Sequence, residues 1–314
     1  MKILITGGAG FIGSHLCDFL LDKKHQLTCV DNLITGRLKN INHLLKNSNF
    51  KFIKMDVSSD KFKKFSNRIE AIFHFASPAS PVDYQNYPLR TLITNSIGTL
   101  AALEIAKKNK AKFLLASTSE VYGEPKIHPQ PETYWGNVNP VGIRSCYDES
   151  KRFSETLSIT YFRKFSLDLR IVRIFNTYGP RLRTDDGRVI SNFISQAIQK
   201  KPLTVYGSGK QTRSFCYISD MTDGIIKAMF TKKTQGEIIN LGNAEEIQII
   251  KVARLIQKKF PYKIKISFSS LPEDDPTKRR PDISKANKLL GWQPKVSLDE
   301  GLNKTIIYFK KEIT

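Results

Sequence analysis

Short apolar runs alternate with longer amphipathic stretches through the first half of the chain. Runs rich in β-branched and aromatic residues at Lys2–Thr6, Gln26–Val30, Phe50–Lys54, Ala71–Phe75, Lys112–Ala116 and Leu169–Ile174 have the length of strands. Apolar residues at successive positions within them suit strands covered on both faces, as in the middle of a parallel sheet. Helical periods lie between them, clearest at Tyr87–Lys108 and Tyr147–Lys164. This rhythm predicts an α/β fold with a doubly wound parallel sheet. After Gly179 the pattern changes to loops rich in Arg, Asp and Gly, with a short strand at Leu203–Tyr206 and proline-punctuated segments around 272–294. Helices at Ile283–Leu290 and Leu298–Lys311 close the chain. The expected organisation is a larger domain over residues 1–178, with a return to it at about 215–243, and a smaller, mainly C-terminal lobe over 179–314. No linker separates the two, so a ligand is expected between them.

The run Gly7-Gly8-Ala9-Gly10-Phe11-Ile12-Gly13 directly follows the first strand and opens a helix. Glycines there allow a tight turn and let the backbone approach a pyrophosphate, while the helix N-terminus presents amides and a positive dipole end. The first domain is therefore read as a Rossmann domain. Asp31, at the end of the second strand, is placed to accept hydrogen bonds from the adenosine ribose and to repel a 2′-phosphate, so NAD rather than NADP is the expected cofactor. Asn32, Thr35 and Gly36 continue that loop. Asp56 and Val57 are placed for the adenine edge, with helix capping as the other reading of Asp56. Phe75, Ala76 and Ser77 are expected beneath the cofactor, and Ala116 beside it at the end of the fifth strand.

Tyr147 and Lys151 lie four residues apart on a helical stretch and so share a face. A tyrosine titrates near pH 10 when unperturbed; a nearby ammonium and a positive nicotinamide ring favour the phenolate, which can then take a proton from a hydroxyl. Thr118, in the run Ala116–Gly123 that leaves the fifth strand, adds a hydroxyl to orient substrate. Thr118, Tyr147 and Lys151 together read as a hydride-transfer site.

Net charge of +21 raises the question of nucleic acid or a membrane surface. The lysines are spread in short pieces along the whole chain, without a basic tail or a nucleic-acid-binding signature, and read as solvated helix faces. No signal-peptide pattern and no apolar run of about 20 residues is present, so neither export nor a membrane span is expected. Cys17, Cys29, Cys146 and Cys216 have no metal-ligand spacing and read as thiols in a reducing compartment. Five scattered histidines add no metal site, and Trp135 and Trp292 are expected to be packing residues.

The chain resembles the extended short-chain dehydrogenases/reductases, and among them the UDP-glucuronate decarboxylases. The resemblance rests on GGAGFIGSHL (7–16), HFASPASPVDY (74–84), LLASTSEVYGEP (114–125), YWGNVNPVGIRSCYDESKR (134–152), RIFNTYGPR (173–181), DGRVISNFI (186–194), VYGSGKQTRSF (205–215) and DDPTKRRPDI (274–283). It implies oxidation of a sugar C4 hydroxyl by NAD, loss of carbon dioxide from the resulting β-keto acid, and reduction of the ketone by the same NADH. UDP-glucuronate is then the substrate and UDP-xylose the product, with Tyr147 acting first as base and later as acid. Glu120 is the discriminating residue, because related 4,6-dehydratases usually carry an Asp-Glu pair where this chain has Ser119-Glu120, and related C4-epimerases usually lack the acid. Its two open roles are to destabilise the sugar carboxylate and to position a water that protonates C5. Asn176, Arg213 and Arg279 match substrate contacts, with Arg280 competing with Arg279; Thr177 and Arg188 match cofactor contacts, and Arg181 and Arg183 are expected nearby. The resemblance further implies a homodimer pairing the helices near Tyr87–Lys108 and Tyr147–Lys164; members in animals and plants often carry an N-terminal membrane anchor, a pattern not read in this sequence, so a cytoplasmic enzyme is expected. A C4-epimerase or 4,6-dehydratase is the alternative on this scaffold; an NAD-binding or RNA-binding protein is the alternative outside enzymes.

Overall fold

A computed structural model describes residues 1–65 and 67–313. Seven strands, β1 (Lys2–Thr6), β2 (Gln26–Asp31), β3 (Phe50–Lys54), β4 (Ala71–His74), β5 (Lys112–Thr118), β6 (Leu169–Ile174) and β7 (Ile238–Leu241), form one parallel sheet in the order β7-β6-β5-β4-β1-β2-β3. The chain reverses its direction of travel across the sheet between β1 and β4. That leaves a crevice beyond their C-terminal ends, where open α/β sheets bind ligands.

Side-chain alternation explains why both faces are covered. Ile3, Ile5, Phe73, Leu114 and Val172 join Leu16 and Leu20 of the helix Phe11–Asp22 and Met221, Ile225 and Met229 of the helix Ile218–Phe230. Their neighbours Leu4, Ile72, Phe113, Leu115 and Ile171 join Ala102, Leu103 and Ala106 of the helix Thr99–Asn109. A third core gathers Phe193, Ile194, Val205, Val252, Ile256, Leu302 and Phe309 from the C-terminal helices Val189–Ile198, Ile249–Gln257 and Leu298–Ile313 and the strand Leu203–Tyr206. Phe11 and Ile12 pack against this core, so the start of the first helix seats the C-terminal lobe over the crevice.

Several elements depart from the sequence expectations. The helix expected at Tyr87–Lys108 is broken into Pro88–Ile93, a π-helical turn at Thr94–Gly98, and Thr99–Asn109. In that wide turn Asn95 Nδ2 donates to Ser150 Oγ at 2.9 Å, and Gly98 lies so close to Val57 that a Cβ would stand 2.6 Å from its methyl. β5 continues two residues further, to Thr118, and β4 stops at His74, which leaves Phe75 to begin the crossing into the crevice. Trp292 is a packing residue, 1% exposed, with Nε1 donating to the Asp220 carbonyl at 3.0 Å. Trp135 is not: it is 87% exposed on the long loop after β5, because that loop is carried by its polar and backbone contacts, with Tyr134 rather than Trp135 stacked on Tyr122.

A three-stranded ribbon completes the site from the C-terminal side. Thr212–Ser214 pairs with Glu246–Gln248 antiparallel and with Lys278–Arg279 parallel, and the second register sets Arg213 opposite Arg279. Among the described residues, no helix is long and apolar enough to cross a membrane.

Candidate functional site

A cavity of about 560 Å³ lies over the crevice, lined by the segments that leave β1, β2, β4, β5 and β6 and by the C-terminal lobe. Of the site residues read from the sequence, Gly7, Gly10, Phe11, Ile12, Gly13, Asp31, Asn32, Thr35, Gly36, Val57, Phe75, Ser77, Ala116, Thr118, Glu120, Tyr147, Lys151, Asn176, Thr177, Arg188, Arg213 and Arg279 all line it. Asp56 does not line it, although Met55 and Val57 do. Its carboxylate is turned into a local network, accepting from Ser58 N at 2.8 Å, Ser58 Oγ at 2.6 Å and Asn32 Nδ2 at 3.0 Å. It does not cap the next helix either; Ser59 does, accepting from Phe62 N.

At one end the glycine run forms a cradle for a dinucleotide. Gly7 has φ +70°, and a Cβ there would stand 2.6 Å from the Phe75 carbonyl carbon. A Cβ on Gly13 would stand 2.2 Å from the Gly7 oxygen. The helix Phe11–Asp22 is preceded by Gly10, which brings no side chain to cap it, so its first amides are left to face the cavity. Asp31 accepts from Ala9 N at 3.0 Å and Leu33 N at 2.8 Å, tying the glycine loop to the end of β2. Gly36 approaches both carboxylate oxygens so closely that a Cβ would be 2.8 Å from each. Burial pushes the Asp31 pKa up against those two backbone hydrogen bonds. The residues present therefore fit a dinucleotide whose ribose hydroxyls meet Asp31.

Deeper in the cavity the helix Ser145–Phe165 presents Tyr147 and Lys151 one turn apart. Lys151 Nζ donates to the Ala116 carbonyl at 3.0 Å and lies 5.9 Å from the centre of the Tyr147 ring. Burial, partly offset by Glu155, lowers the Lys151 pKa to about 7. Burial raises Tyr147 to about 12, against a hydrogen bond with Thr118 and the charge of Arg188. Tyr84 stacks flat on Tyr147, with ring centres 4.9 Å apart and planes 5° from parallel.

Glu120 sits in the helical turn Ser119–Tyr122, whose start Thr118 caps by accepting from Glu120 N at 3.2 Å. Its carboxylate accepts from Ser119 Oγ at 3.1 Å, from Arg279 Nη2 at 3.4 Å, and from Arg144. Burial alone would raise its pKa, but Arg279, Arg144 and Arg213 outweigh burial and hold it at about 2. Of the two competing arginines, Arg279 lines the cavity and Arg280 does not. Arg181, Arg183 and Arg188 line it as well; Arg183 pairs with Asp83 at 2.9 Å and Arg188 donates to the Ala79 carbonyl at 2.6 Å. Among the described residues, no group of three or more His, Cys, Asp or Glu could hold a metal ion.

Sequence reasoning missed Arg144, Tyr84 and Asp148. Asp148 is 6% exposed beside Arg144, and burial together with Glu120 raises its pKa to about 8. A signal for Arg144 was present: a charged residue one turn before Tyr147, at the start of a helix whose other face is the sheet. Tyr84 carries no comparable signal, since nothing local to it indicates that its ring meets Tyr147.

The chain matches the family described as GDP-mannose 4,6 dehydratase over residues 4–305. It is 52% identical over 312 residues to UDP-glucuronic acid decarboxylase 1 of Xenopus tropicalis, covering 99% of this chain and 73% of that one. Among solved structures, UDP-glucose 4-epimerase of Thermotoga maritima with UDP-glucose superposes with a TM-score of 0.92 at 32% identity, covering 100% of both chains. UDP-glucuronic acid 4-epimerase of Bacillus cereus in complex with UDP-glucuronic acid and NAD gives 0.91 at 34% identity, covering 99% of this chain and 100% of the other. Fold, glycine cradle, Tyr–Lys helix and full-length identity agree: the chain belongs to the extended short-chain dehydrogenase/reductase superfamily and, within it, to the UDP-glucuronic acid decarboxylases.

Proposed function

We propose that this protein converts UDP-glucuronate to UDP-xylose and carbon dioxide, with NAD retained and regenerated in the site. The observation that carries the reading is Glu120, an ionised carboxylate fixed among Arg144, Arg279 and Ser119 in the cavity that Tyr147 also lines, in a chain half identical to decarboxylases of this substrate. When bound, NAD would supply the acceptor for the C4 hydride of the sugar and the donor for its return. Gly7, Gly10, Gly13 and Asp31 would hold its pyrophosphate and ribose.

The protein's own groups supply the proton chemistry and the positioning. Tyr147 takes the proton of the C4 hydroxyl onto its phenol oxygen and gives it back when the ketone is reduced. Its pKa of about 12 shows how strongly burial favours the neutral phenol, so a cation beside it is required. Lys151 is that cation when protonated, and Thr118 orients both phenol and substrate. The Tyr84 ring covers one face of Tyr147 and keeps water from it. With C4 oxidised, the C6 carboxylate is β to a carbonyl, and carbon dioxide leaves as its electrons move into that carbonyl. Glu120, held at about 2, does not carry a proton to give; it acts as a carboxylate, against the sugar acid or on a water that protonates C5. Arg213 and Arg279 offer forked donors to the anionic substrate.

The reading extends to a homodimer in the cytoplasm. Exposed Leu89, Leu92, Ile93, Ile97 and Leu100 on the Pro88–Asn109 segment and Phe153 on the neighbouring helix support the first as an apolar face suited to a second copy. Four unpaired cysteines support the second.

The test is carbon dioxide release from UDP-glucuronate by the NAD-loaded protein, compared with Tyr147→Phe. Release that falls roughly 10²–10⁴-fold in the variant is expected. Conversion of UDP-glucuronate to its C4 epimer without carbon dioxide would overturn the reading.

A further inference from the structure

Three arginines converge on the Glu120 end of the cavity, and they are not held alike. Arg279 is 1% exposed and donates Nη1 to the Ser119 carbonyl at 2.7 Å, which pins its guanidinium to the backbone. Arg213 donates Nη1 to the Thr212 carbonyl at 2.9 Å and is likewise anchored. Arg144 has no such anchor among the described residues. Its guanidinium meets only carboxylates: Glu120, Asp275 Oδ1 at 3.3 Å from Nη1, and Asp148 Oδ2 at 4.0 Å from Nε.

Asp275 is the unusual partner. Its two oxygens bridge two arginines, Oδ1 on Arg144 and Oδ2 on Arg213 at 2.9 Å, and both arginines line the cavity. It comes from the loop between Ser269 and Lys278, and its side chain is 29% exposed, whereas those of Arg144 and Arg213 are 11% and 10% exposed. A partly exposed carboxylate thus satisfies two buried cations at a place where an anionic ligand would otherwise do so. Backbone geometry fixes the other end: Arg144 stands just before the helix Ser145–Phe165, and its carbonyl accepts from Tyr147 N at 3.0 Å and Asp148 N at 3.1 Å. Arg144 is therefore rooted one turn before Tyr147, and both line the same cavity, as recognition of a group two carbons from C4 on the same sugar requires.

We infer that Arg144 is the residue that reads the C6 carboxylate of the sugar, and that Asp275 keeps its place on Arg144 until substrate displaces it. This rests on the substrate reading above and adds to it the source of selectivity for an acidic over a neutral sugar. Arg144 holds the carboxylate beside Glu120, so recognition and the electrostatic pressure for decarboxylation meet at one guanidinium. Asp148, behind Arg144, sets its orientation from the side away from the cavity.

The test compares the binding of UDP-glucuronate and UDP-xylose, which differ by that carboxylate, to NAD-loaded protein by calorimetry. A Tyr147→Phe background blocks turnover. Arg144→Gln is expected to weaken UDP-glucuronate by about tenfold or more while leaving UDP-xylose within about twofold, since a charge-assisted hydrogen bond is lost from one ligand only. Asp275→Asn is expected to tighten UDP-glucuronate, because the internal competitor loses its charge; this second variant also carries the test if Arg144→Gln fails to bind NAD. Equal weakening of both nucleotide sugars by Arg144→Gln, or a Asp275→Asn variant that binds UDP-glucuronate no better, would overturn the inference alone. Failure of the parent to bind either nucleotide sugar would overturn the substrate reading with it.

Discussion

Lys151 gives the site a pH signature that can be read without substrate. It is 4% exposed, and its pKa falls from 10.5 to about 7 in the folded protein, burial outweighing Glu155. Between those values the unfolded chain binds the proton and the folded chain does not, so stability rises with pH across the window. The charging penalty is complete below about 7 and is relieved by about 1.4 kcal/mol per pH unit, on the order of 5 kcal/mol in all. Other groups overlap this window. Asp148, raised to about 8, binds its proton in the folded state and contributes the opposite slope up to about pH 8. Cys17 and Cys216, raised by burial and their neighbours, oppose it from about pH 9. Urea unfolding of the wild type and Lys151→Met, measured from pH 7 to 9, cancels what the two share. The loss of the bond from Nζ to the Ala116 carbonyl adds only a constant offset. The stability of the wild type relative to Lys151→Met is expected to rise by up to about 1.4 kcal/mol between pH 8 and 9. Parallel curves across that range would mean that Lys151 titrates near its ordinary value and stays charged in the folded protein, and the account of its pKa as lowered by burial would fail.

Further outcomes follow from the cradle and the core. Gly13→Ala places a Cβ 2.2 Å from the Gly7 oxygen, so the loop must shift, and NAD affinity by calorimetry is expected to fall by about tenfold or more. Asp31→Asn removes the charge that excludes a 2′-phosphate, so the preference for NAD over NADP is expected to narrow by about tenfold or more, with an unchanged ratio counting against the role of Asp31. Glu155 receives Arg173 on both oxygens, at 2.9 and 2.7 Å, and Ser117 at 2.6 Å, joining β5, β6 and the Tyr147 helix. Glu155→Ala is expected to cost about 3–5 kcal/mol in urea unfolding by leaving the buried Arg173 charge without its carboxylate, and adding Arg173→Met is expected to recover much of it. Additive losses in the double variant would show that the pair is not coupled.

What the sequence revealed and what it hid divides by distance along the chain. The glycine cradle, Asp31 and the Tyr147–Lys151 pair are legible because each depends on one strand or helix terminus and a short spacing. Arg213 and Arg279 carry no local sign of being neighbours; a parallel register between Thr212–Ser214 and Lys278–Arg279 brings them together. Arg144 reaching Asp275 and Tyr84 reaching Tyr147 are of the same kind, contacts between segments far apart in the chain whose meeting only the assembled fold decides. The broken helix at Thr94–Gly98 was hidden because a π turn changes the backbone without changing the apolar period enough to see. Asp56 stands between two residues that line the cavity, Met55 and Val57, and the engagement of its carboxylate by Ser58 and Asn32 is a contact that its position after β3 does not announce.

The central claim is that one bound NAD serves both halves of the reaction, with carbon dioxide lost between them. The measurement that tests it most directly is ¹H NMR of the NAD-loaded protein turning over UDP-glucuronate in D₂O, with absorbance at 340 nm followed in the same sample. The account predicts UDP-xylose carrying one solvent deuteron at C5, formed in many turnovers per protein without accumulated NADH. A 4-keto sugar nucleotide formed in step with NADH, or an epimer that retains its carboxylate, would contradict it.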